Sequence, residues 1–260
     1  MKTPSILYKY RDYHNEYNKR ILFNFEIFLP STTMFNDPYE GSIPFVYNPE
    51  DLTEENLYIR MRQLAKEENP KWSDTEIEEY CYEAMKKDLL NDPKHLEEQR
   101  LENIRKIDAT FGILSLTPKY LNYLMWSHYG NSHRGFCIGF DSQDLFNEIG
   151  GTIGPVVYQR QIPKMDIFGG PLEFYIKQLS TKSEIWQYED EYRIVKADGS
   201  RETICYDKKI IRKIVLGCKM TQSEKQEIID FVIKNEINCV ISELSLDTES
   251  EFKLNELRIY

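Results

Sequence analysis

Residues 183–196 read SEIWQYEDEYRIVK, with Glu189, Asp190 and Glu191 immediately before Tyr192, Arg193, Ile194 and Val195. Alternation along an extended chain sends Glu189, Glu191 and Arg193 to one face and Asp190, Tyr192 and Ile194 to the other. Two carboxylates two apart on one face repel unless a cation or a shared proton intervenes. Arg193 answers part of that charge, and Arg11, at the end of an amino-terminal strand, is a candidate for the rest. The group is either a structural ion-pair cluster or a carboxylate site beside a pocket, where it can stabilise a developing cation.

The densest polar and aromatic stretch is MWSHYGNSHRGFCIGFD (125–141), which holds two of the four histidines. His128 or His133 can do acid–base work, since imidazole titrates near neutrality, and a loop leading into a strand is a common place for site residues. The structural alternative is that Trp126 and Tyr129 pack while the histidines cap a turn. In STTMFNDPYEG (31–41), Ser31, Thr32 and Thr33 could present hydroxyls to a cleft. Asn36, Asp37 and Pro38 either line that cleft or simply start a turn, because Asx side chains bond the backbone ahead and proline fixes φ. No metal is expected: a third ligand beside the histidines is not placed, and the five cysteines are scattered without a CxxC pair. Dinucleotide, P-loop, zincin and nucleophile-elbow motifs are absent, and the glycine-rich GGTIG (150–154) lacks the lysine of a phosphate loop.

These residues need a scaffold. SILYKYR (5–11) alternates as a strand, YHNEYNKRILFN carries a helical stripe at Tyr13, Tyr17 and Ile21, and EIFLP is a short strand stopped by Pro30. Residues 51–108 hold 16 acids and 10 bases, so 16 − 10 = 6 of the ten net negative charges lie there. The apolar spacing in LTEENLYIRMRQLAKEE, DTEIEEYCYEAMKKDLL and PKHLEEQRLENIRKID predicts three charged helices, with Pro70 and Pro93 between them and Ser73/Asp74 as a cap. Strands follow at TFGILSLT, FCIGFD, GPVVYQR, EYRIVKA, ETICYD, IRKIVLG, INCVIS and KLNELRIY, with a short helix or helical loop at 120–135 and helices near 171–180 and 221–235. EYRIVKA and ETICYD are expected to pair across DGSR. Short strands and helices in irregular order predict an α+β fold, one domain over 1–260 with a central mixed or antiparallel, split sheet and a helical insertion at 51–108.

Lys+Arg 33 against Asp+Glu 43 gives a net charge of −10. That argues against bulk binding to duplex nucleic acid or an anionic membrane but leaves room for a small anion in a local basic pocket. No apolar run reaches a membrane span. The amino terminus lacks a secretory pattern, and the odd, unpaired cysteines suit reduced thiols, so a cytoplasmic protein is expected.

LYKYR, FLPSTTMFNDPYEG, MWSHYGNSHRGFCIGFD, VVYQR, EIWQYEDEYRIV and IRKIVLG occur in the order that resembles the bacterial domain-of-unknown-function family numbered 2971. A looser resemblance is to ADP-ribosyltransferases, which run along the chain as a strand bearing Arg or His, a Ser-Thr-Ser strand end, and a Glu-x-Glu turn before another strand. Arg11, Ser31-Thr32-Thr33 and Glu189-Asp190-Glu191 stand in that order here, although Thr33 replaces the last serine and Trp126-Ser127-His128-Tyr129 has no counterpart.

The second resemblance implies an NAD-consuming transferase or glycohydrolase, in a bacterial defence or toxin setting against phage, with NAD as substrate and an unidentified macromolecular acceptor. Glu191 would be catalytic and Glu189 would orient the acceptor, with His128 close by. Arg11 would grip the pyrophosphate, Tyr8 or Tyr10 would stack on nicotinamide, and Ser31 would brace the first strand. The remaining ligand contacts would come from Thr32, Asn36, Asp37, Trp126, Tyr129, His133 and Arg193. Two other readings stand beside it: a hydrolase or nuclease centred on His128, His133, Asp37 and the glutamates, and a non-catalytic module holding a small ligand or peptide. On the first reading Arg11, Ser31 and Glu191 converge on one cleft.

Overall fold

A computed structural model of the chain describes residues 3–44, 46–87 and 92–260. The fold is α+β. Strand β1 (Ile6–Arg11) alternates as its sequence predicts, but both of its faces are covered. Leu7 enters the larger core, whereas Tyr8 and Tyr10 enter a second core with Met125, Trp126 and Cys137. Asn15 caps helix α1 (Glu16–Phe23), which buries Ile21 and Leu22. Tyr17 is 82% exposed, so the expected Tyr13–Tyr17–Ile21 stripe is not the packed one: Tyr13 lies ahead of the helix, and the buried face starts at Ile21. Strand β2 (Glu26–Phe28) and the two-residue β3 (Val46–Tyr47) follow.

Helices α2 (Glu54–Glu68), α3 (Asp74–Lys86) and α4 (Pro93–Thr110) occupy the charged stretch. Thr53 caps α2, Ser73 and Glu76 form a reciprocal box at α3, and Asp92 caps α4 ahead of Pro93. Side-chain oxygens there satisfy amide groups that an uncapped helix start leaves open. The last residues of the second predicted helical span (74–90), 88–90, lie outside the described residues. Ala65, Ile77 and Cys81 make a small core of their own between α2 and α3.

The remaining elements are β4 (Phe111–Leu116), α5 (Tyr123–Tyr129), β5 (Phe136–Asp141), α6 (Ser142–Ile149), β6 (Thr152–Pro155), β7 (Val157–Gln159), β8 (Lys164–Met165), α7 (Pro171–Ser180), β9 (Thr181–Ser183), β10 (Tyr192–Ala197), β11 (Thr203–Cys205), β12 (Ile211–Leu216), α8 (Gln222–Lys234), β13 (Val240–Leu246) and β14 (Leu254–Arg258). The main sheet runs β1-β5-β12-β13-β14 and is mixed, since only β12 and β13 are parallel neighbours within it. A second, antiparallel sheet runs β4-β10-β6. The two join where Tyr8 exchanges backbone hydrogen bonds with Thr117, just past β4 (2.7 and 3.0 Å). From that junction β1 and β4 border one cleft. Among the described residues no helix is long and apolar enough to cross a membrane.

Two pairings differ from the expectation. β10 and β11 do not form a hairpin: β10 is a central strand with β4 on one edge and β6 on the other, while β11 pairs with β2, Ile204 opposite Ile27. The DGSR segment is bonded outward, Gly199 N–H to the Thr110 carbonyl and Arg201 N–H to the Leu29 carbonyl, so it links neighbouring segments instead of closing a turn between its own strands. GPVVYQR is also two strands, not one. Val156 donates its N–H to the Glu191 carbonyl (2.8 Å), and beyond it β7 leaves β10 to pair in parallel with β9.

Gly135 ties the α5 loop to β1. A Cβ there would overlap the Arg11 carbonyl oxygen, and a Cβ at Gly217 would overlap the His133 and Gly135 carbonyl oxygens. Gly135→Ala should cost at least about 1–3 kcal/mol, as forced overpacking does, read as a lower urea midpoint with an unchanged m-value.

Candidate functional site

The acid run is arranged by a turn. A 3₁₀ segment, Glu184–Glu189, ends at Asp190 in the left-handed conformation (φ 47, ψ 51), which Asp tolerates better than most residues. Asp190 is thereby turned outward to Lys119, 3.3 Å away. Its neighbours Glu189 and Glu191 are turned inward and are 3% and 5% exposed. Glu189, Glu191 and Arg193 thus come together as the alternation suggests, but a backbone reversal, not a pleat, brings Glu189 round.

Inside, the carboxylates meet two cations. Arg193 Nε donates to Glu191 Oε1 (2.7 Å) and its terminal nitrogen to Oε2 (3.1 Å), a bidentate pair. The same nitrogen donates to Glu40 (2.5 Å), and the other terminal nitrogen to the Leu179 carbonyl (2.7 Å). Lys182 Nζ lies 2.7 Å from Glu189, 3.1 Å from Glu40 and 3.3 Å from Glu191. Tyr129 donates its hydroxyl to the second Glu189 oxygen (2.6 Å). Burial pushes Glu191 up, but Arg193 and then Lys182 outweigh it and hold the carboxyl at about 2. Glu40 moves the other way, because its burial outweighs the same two cations. Its Oε2 is buried with no hydrogen-bond partner among the described residues. Burial acts to lower Lys182, yet the three carboxylates raise it.

Glu40, Lys182, Glu189, Glu191 and Tyr129 line one wall of a cavity of about 430 Å³, within the range of small-ligand sites; Arg193 holds that wall from behind and does not border the cavity. Glu40, Lys182, Glu189, Glu191, His128, Tyr129 and Asn36 border it, Lys9 and Arg11 border it from β1, and Asp12 borders it from just beyond that strand. Lys9 Nζ donates to the Ser115 carbonyl (2.7 Å), and Arg11 makes a long contact (3.4 Å) with the neighbouring Tyr10 carbonyl. Neither cation has a carboxylate within ion-pair distance among the described residues. Burial, then the Arg11 charge, lowers Lys9 to about 7, and burial lowers Arg11 to about 10.

Arg11 and Glu191 therefore face one cleft, with His128 at its edge. Asn36 lies there too, its amide 3.4 Å from the Tyr129 hydroxyl. Ser31 and Thr32 do not line it. Both are buried, and the Ser31 hydroxyl sits 3.4 Å from that of Thr33, which donates to Asp108 at the end of α4. That block fastens α4, not β1.

Asp37 is buried and accepts the Tyr39 N–H, the Asx turn its sequence suggests. Trp126 is fully buried, donating to the Tyr120 carbonyl, with Tyr10 edge-on at 5.0 Å. Tyr8 packs on Tyr120 at 4.8 Å, and Tyr10 donates its hydroxyl to the Lys119 carbonyl. Both rings pack in the second core, although both residues are among those that border the cavity. His133 is buried beneath α5 between Tyr123 and Trp126, with Nε2 3.2 Å from the Ser127 hydroxyl, and burial lowers it.

Lys9, Glu40 and Lys182 escaped the sequence reading. Lys9 stands two residues before Arg11, so the alternation that selected Arg11 could have found it. Nothing local marks Glu40 or Lys182. Among the described residues no group of three His, Cys, Asp or Glu side chains is arranged to hold a metal ion.

Residues 125–194 match the model of a family described as a protein of unknown function (DUF2971). The matched segment carries most of α5, Lys182, Glu189, Glu191 and Arg193, while Lys9, Arg11 and Glu40 lie before it. No curated protein and no solved structure matches the chain.

Arg193→Met would leave Glu191 and Glu40 buried beside a single ammonium. The expected cost is about 3–5 kcal/mol in chemical denaturation, the penalty for breaking one partner of a buried pair. The pH response follows from Glu191: its folded value lies below the unfolded one, so its contribution is complete above about 4.5 and is lost as pH falls toward 2. Between those limits wild-type stability should decline more steeply than that of Glu191→Gln, measured as the urea midpoint against pH.

Proposed function

We propose that the cleft binds a nucleotide and that the protein is an NAD-consuming ADP-ribosyltransferase or glycohydrolase. The observation that carries this reading is the meeting of Arg11, from β1, with Glu189 and Glu191, from the turn before β10, across one cavity of about 430 Å³. Breaking the nicotinamide–ribose bond builds positive charge on the ribose. A carboxylate fixed beforehand, and kept ionised, stabilises that charge without rearranging as it forms. Glu191 meets both conditions, since Arg193 fixes its two oxygens and its carboxyl is held at about 2. The partnerless Glu40 oxygen and the Glu189 carboxylate supply acceptors for ribose hydroxyls. His128, exposed at the rim, is the group at hand for proton transfer to or from an acceptor.

The second reading, a binding module without chemistry, is favoured by one observation: all three glutamates are already engaged by Lys182 and Arg193. The hydrolase reading centred on both histidines has less support, since His133 and Asp37 lie outside the cleft lining.

Incubating the full chain with NAD, with and without cell lysate, and measuring free nicotinamide separates the two. Release is expected, and Glu191→Gln should reduce it about 10²–10³-fold, the usual loss on removing one preorganised electrostatic contact. Glu189→Gln, at the edge of the ion network, serves as the second variant if Glu191→Gln melts early. No release under either condition, or an undiminished rate in a folded Glu191→Gln, would overturn the enzymatic reading and leave the binding module.

A further inference from the structure

A second cavity, of about 460 Å³, lies between the charged helices and α7 and shares no lining residue with the cleft. Its size is that of a small-ligand site. One wall comes from Leu57 and Leu64 on α2 and Leu96 on α4, and the facing wall from Ile167, beyond β8, and Phe174 on α7. The helical spacing explains why α2 leaves this stripe open. Ala65 turns into the small core shared with α3, whereas Leu57, Arg60 and Leu64 follow one another at three and four residues along a face that meets the cavity. Leu64 is still 37% exposed there, so apolar surface remains for a ligand to cover.

The charged groups around the cavity differ in how they are answered. Lys177 is held by Glu173 (2.8 Å) and by the Lys164 carbonyl (2.9 Å). Asp166 accepts the Phe168 N–H (2.8 Å) within its own turn. Arg60 reaches only the Gly169 carbonyl, at 3.4 Å, and among the described residues no carboxylate lies within ion-pair distance of it. Its guanidinium is half-buried beside apolar side chains, with most of its five donors unspent. A partly desolvated cation in that position is stabilised by an anion brought to it.

We propose that this cavity binds a medium-chain aliphatic carboxylate, its chain among the leucines and its head group on Arg60. The chemistry selects that class. Leucine, isoleucine and phenylalanine offer an apolar chain only dispersion and relief from water. Arginine offers a planar fork of donors that matches one carboxylate. A neutral chain would leave the guanidinium unanswered, and a phosphate dianion would meet Asp166 and Glu173 around the same cavity. The charged helices thereby gain a role, since α2 and α4 supply the wall that the rest of the chain lacks. Nothing in this depends on NAD or on the glutamate wall of the cleft.

Titration calorimetry of the full chain with decanoate, kept below its micelle concentration, and separately with decan-1-ol tests this. Decanoate is expected to bind saturably at one site, and decanol more weakly. Arg60→Met should weaken decanoate about ten- to hundredfold, the range of one charge-assisted hydrogen bond, and leave decanol unmoved. Arg60 is half-exposed and outside any ion pair, so this variant should keep the wild-type urea midpoint. Leu64→Trp, at a position open enough to accept the larger ring, should fill the cavity and remove both ligands. Lys66→Met, exposed on the same helix but outside the lining, controls for surface charge and should change nothing. Failure of decanoate to bind, or binding indifferent to Leu64→Trp, overturns the site. Equal binding of decanol and decanoate, unmoved by Arg60→Met, overturns the ligand class.

Discussion

The bidentate pair between Arg193 and Glu191 holds the site and much of the fold together. It is buried, and Glu40 and the Leu179 carbonyl take two of the three remaining guanidinium donors. One side chain on β10 thereby joins the 35–41 loop, the carboxyl end of α7 and the turn before its own strand. Lys182, on β9, closes the network from the other side. A buried ion pair is poor evidence of net stability, since its desolvation cost can match its attraction. It is better evidence of specificity: the 35–41 loop, the α7–β9 junction and the turn into β10 can satisfy these charges together in few other arrangements. A lysine at 193 could not make the two parallel bonds or reach the carbonyl as well.

The charges divide the cleft. One wall is balanced internally, and because its cations are spent on carboxylates it offers fixed dipoles and acceptor oxygens. The wall from β1 offers donors that nothing in the described chain answers with charge. Overall net charge says nothing of this, since six of the ten negative charges belong to the 51–108 stretch. Local arrangement decides what a cleft attracts. The half-burial of Lys9 and Arg11 strengthens that attraction by excluding water from around them.

Much of the scaffold was legible. The strand at 5–11, the three charged helices, the cap at Ser73 and the helix at 171–180 follow from spacing and cap chemistry, which are local. Strand partners were not legible, because any extended segment carries the same donors and acceptors on both edges. ETICYD offered no signal that β2 would claim it. At the site, Arg11, Glu189, Glu191 and Tyr129 were found because their types and spacing are unusual. Glu40 and Lys182 are ordinary residues in ordinary stretches, and only the packing of distant segments gives them their role. Ser31, His133 and Trp126 show the opposite error: chemically capable side chains that serve the interior.

The backbone on both sides of the cleft argues that the site is formed before any ligand arrives. Asp190 is left-handed on one side, and Asn131, Ser132 and His133 are left-handed in succession on the other. Such conformations cost about 1–3 kcal/mol each outside glycine, and they persist only where surrounding bonds fix them. Here they do: His133 N–H donates to the Trp126 carbonyl, Gly135 to Gly130, and Lys219 back to His133. The Asn131 amide is then available to hold Asp12 (2.9 Å), away from the two cations beside it. His133 thus acts on the cleft without entering it, since its buried ring anchors the loop whose first residue keeps a carboxylate away from Arg11. A site built this way gives up little order on binding, and its walls have the rigidity that electrostatic discrimination requires.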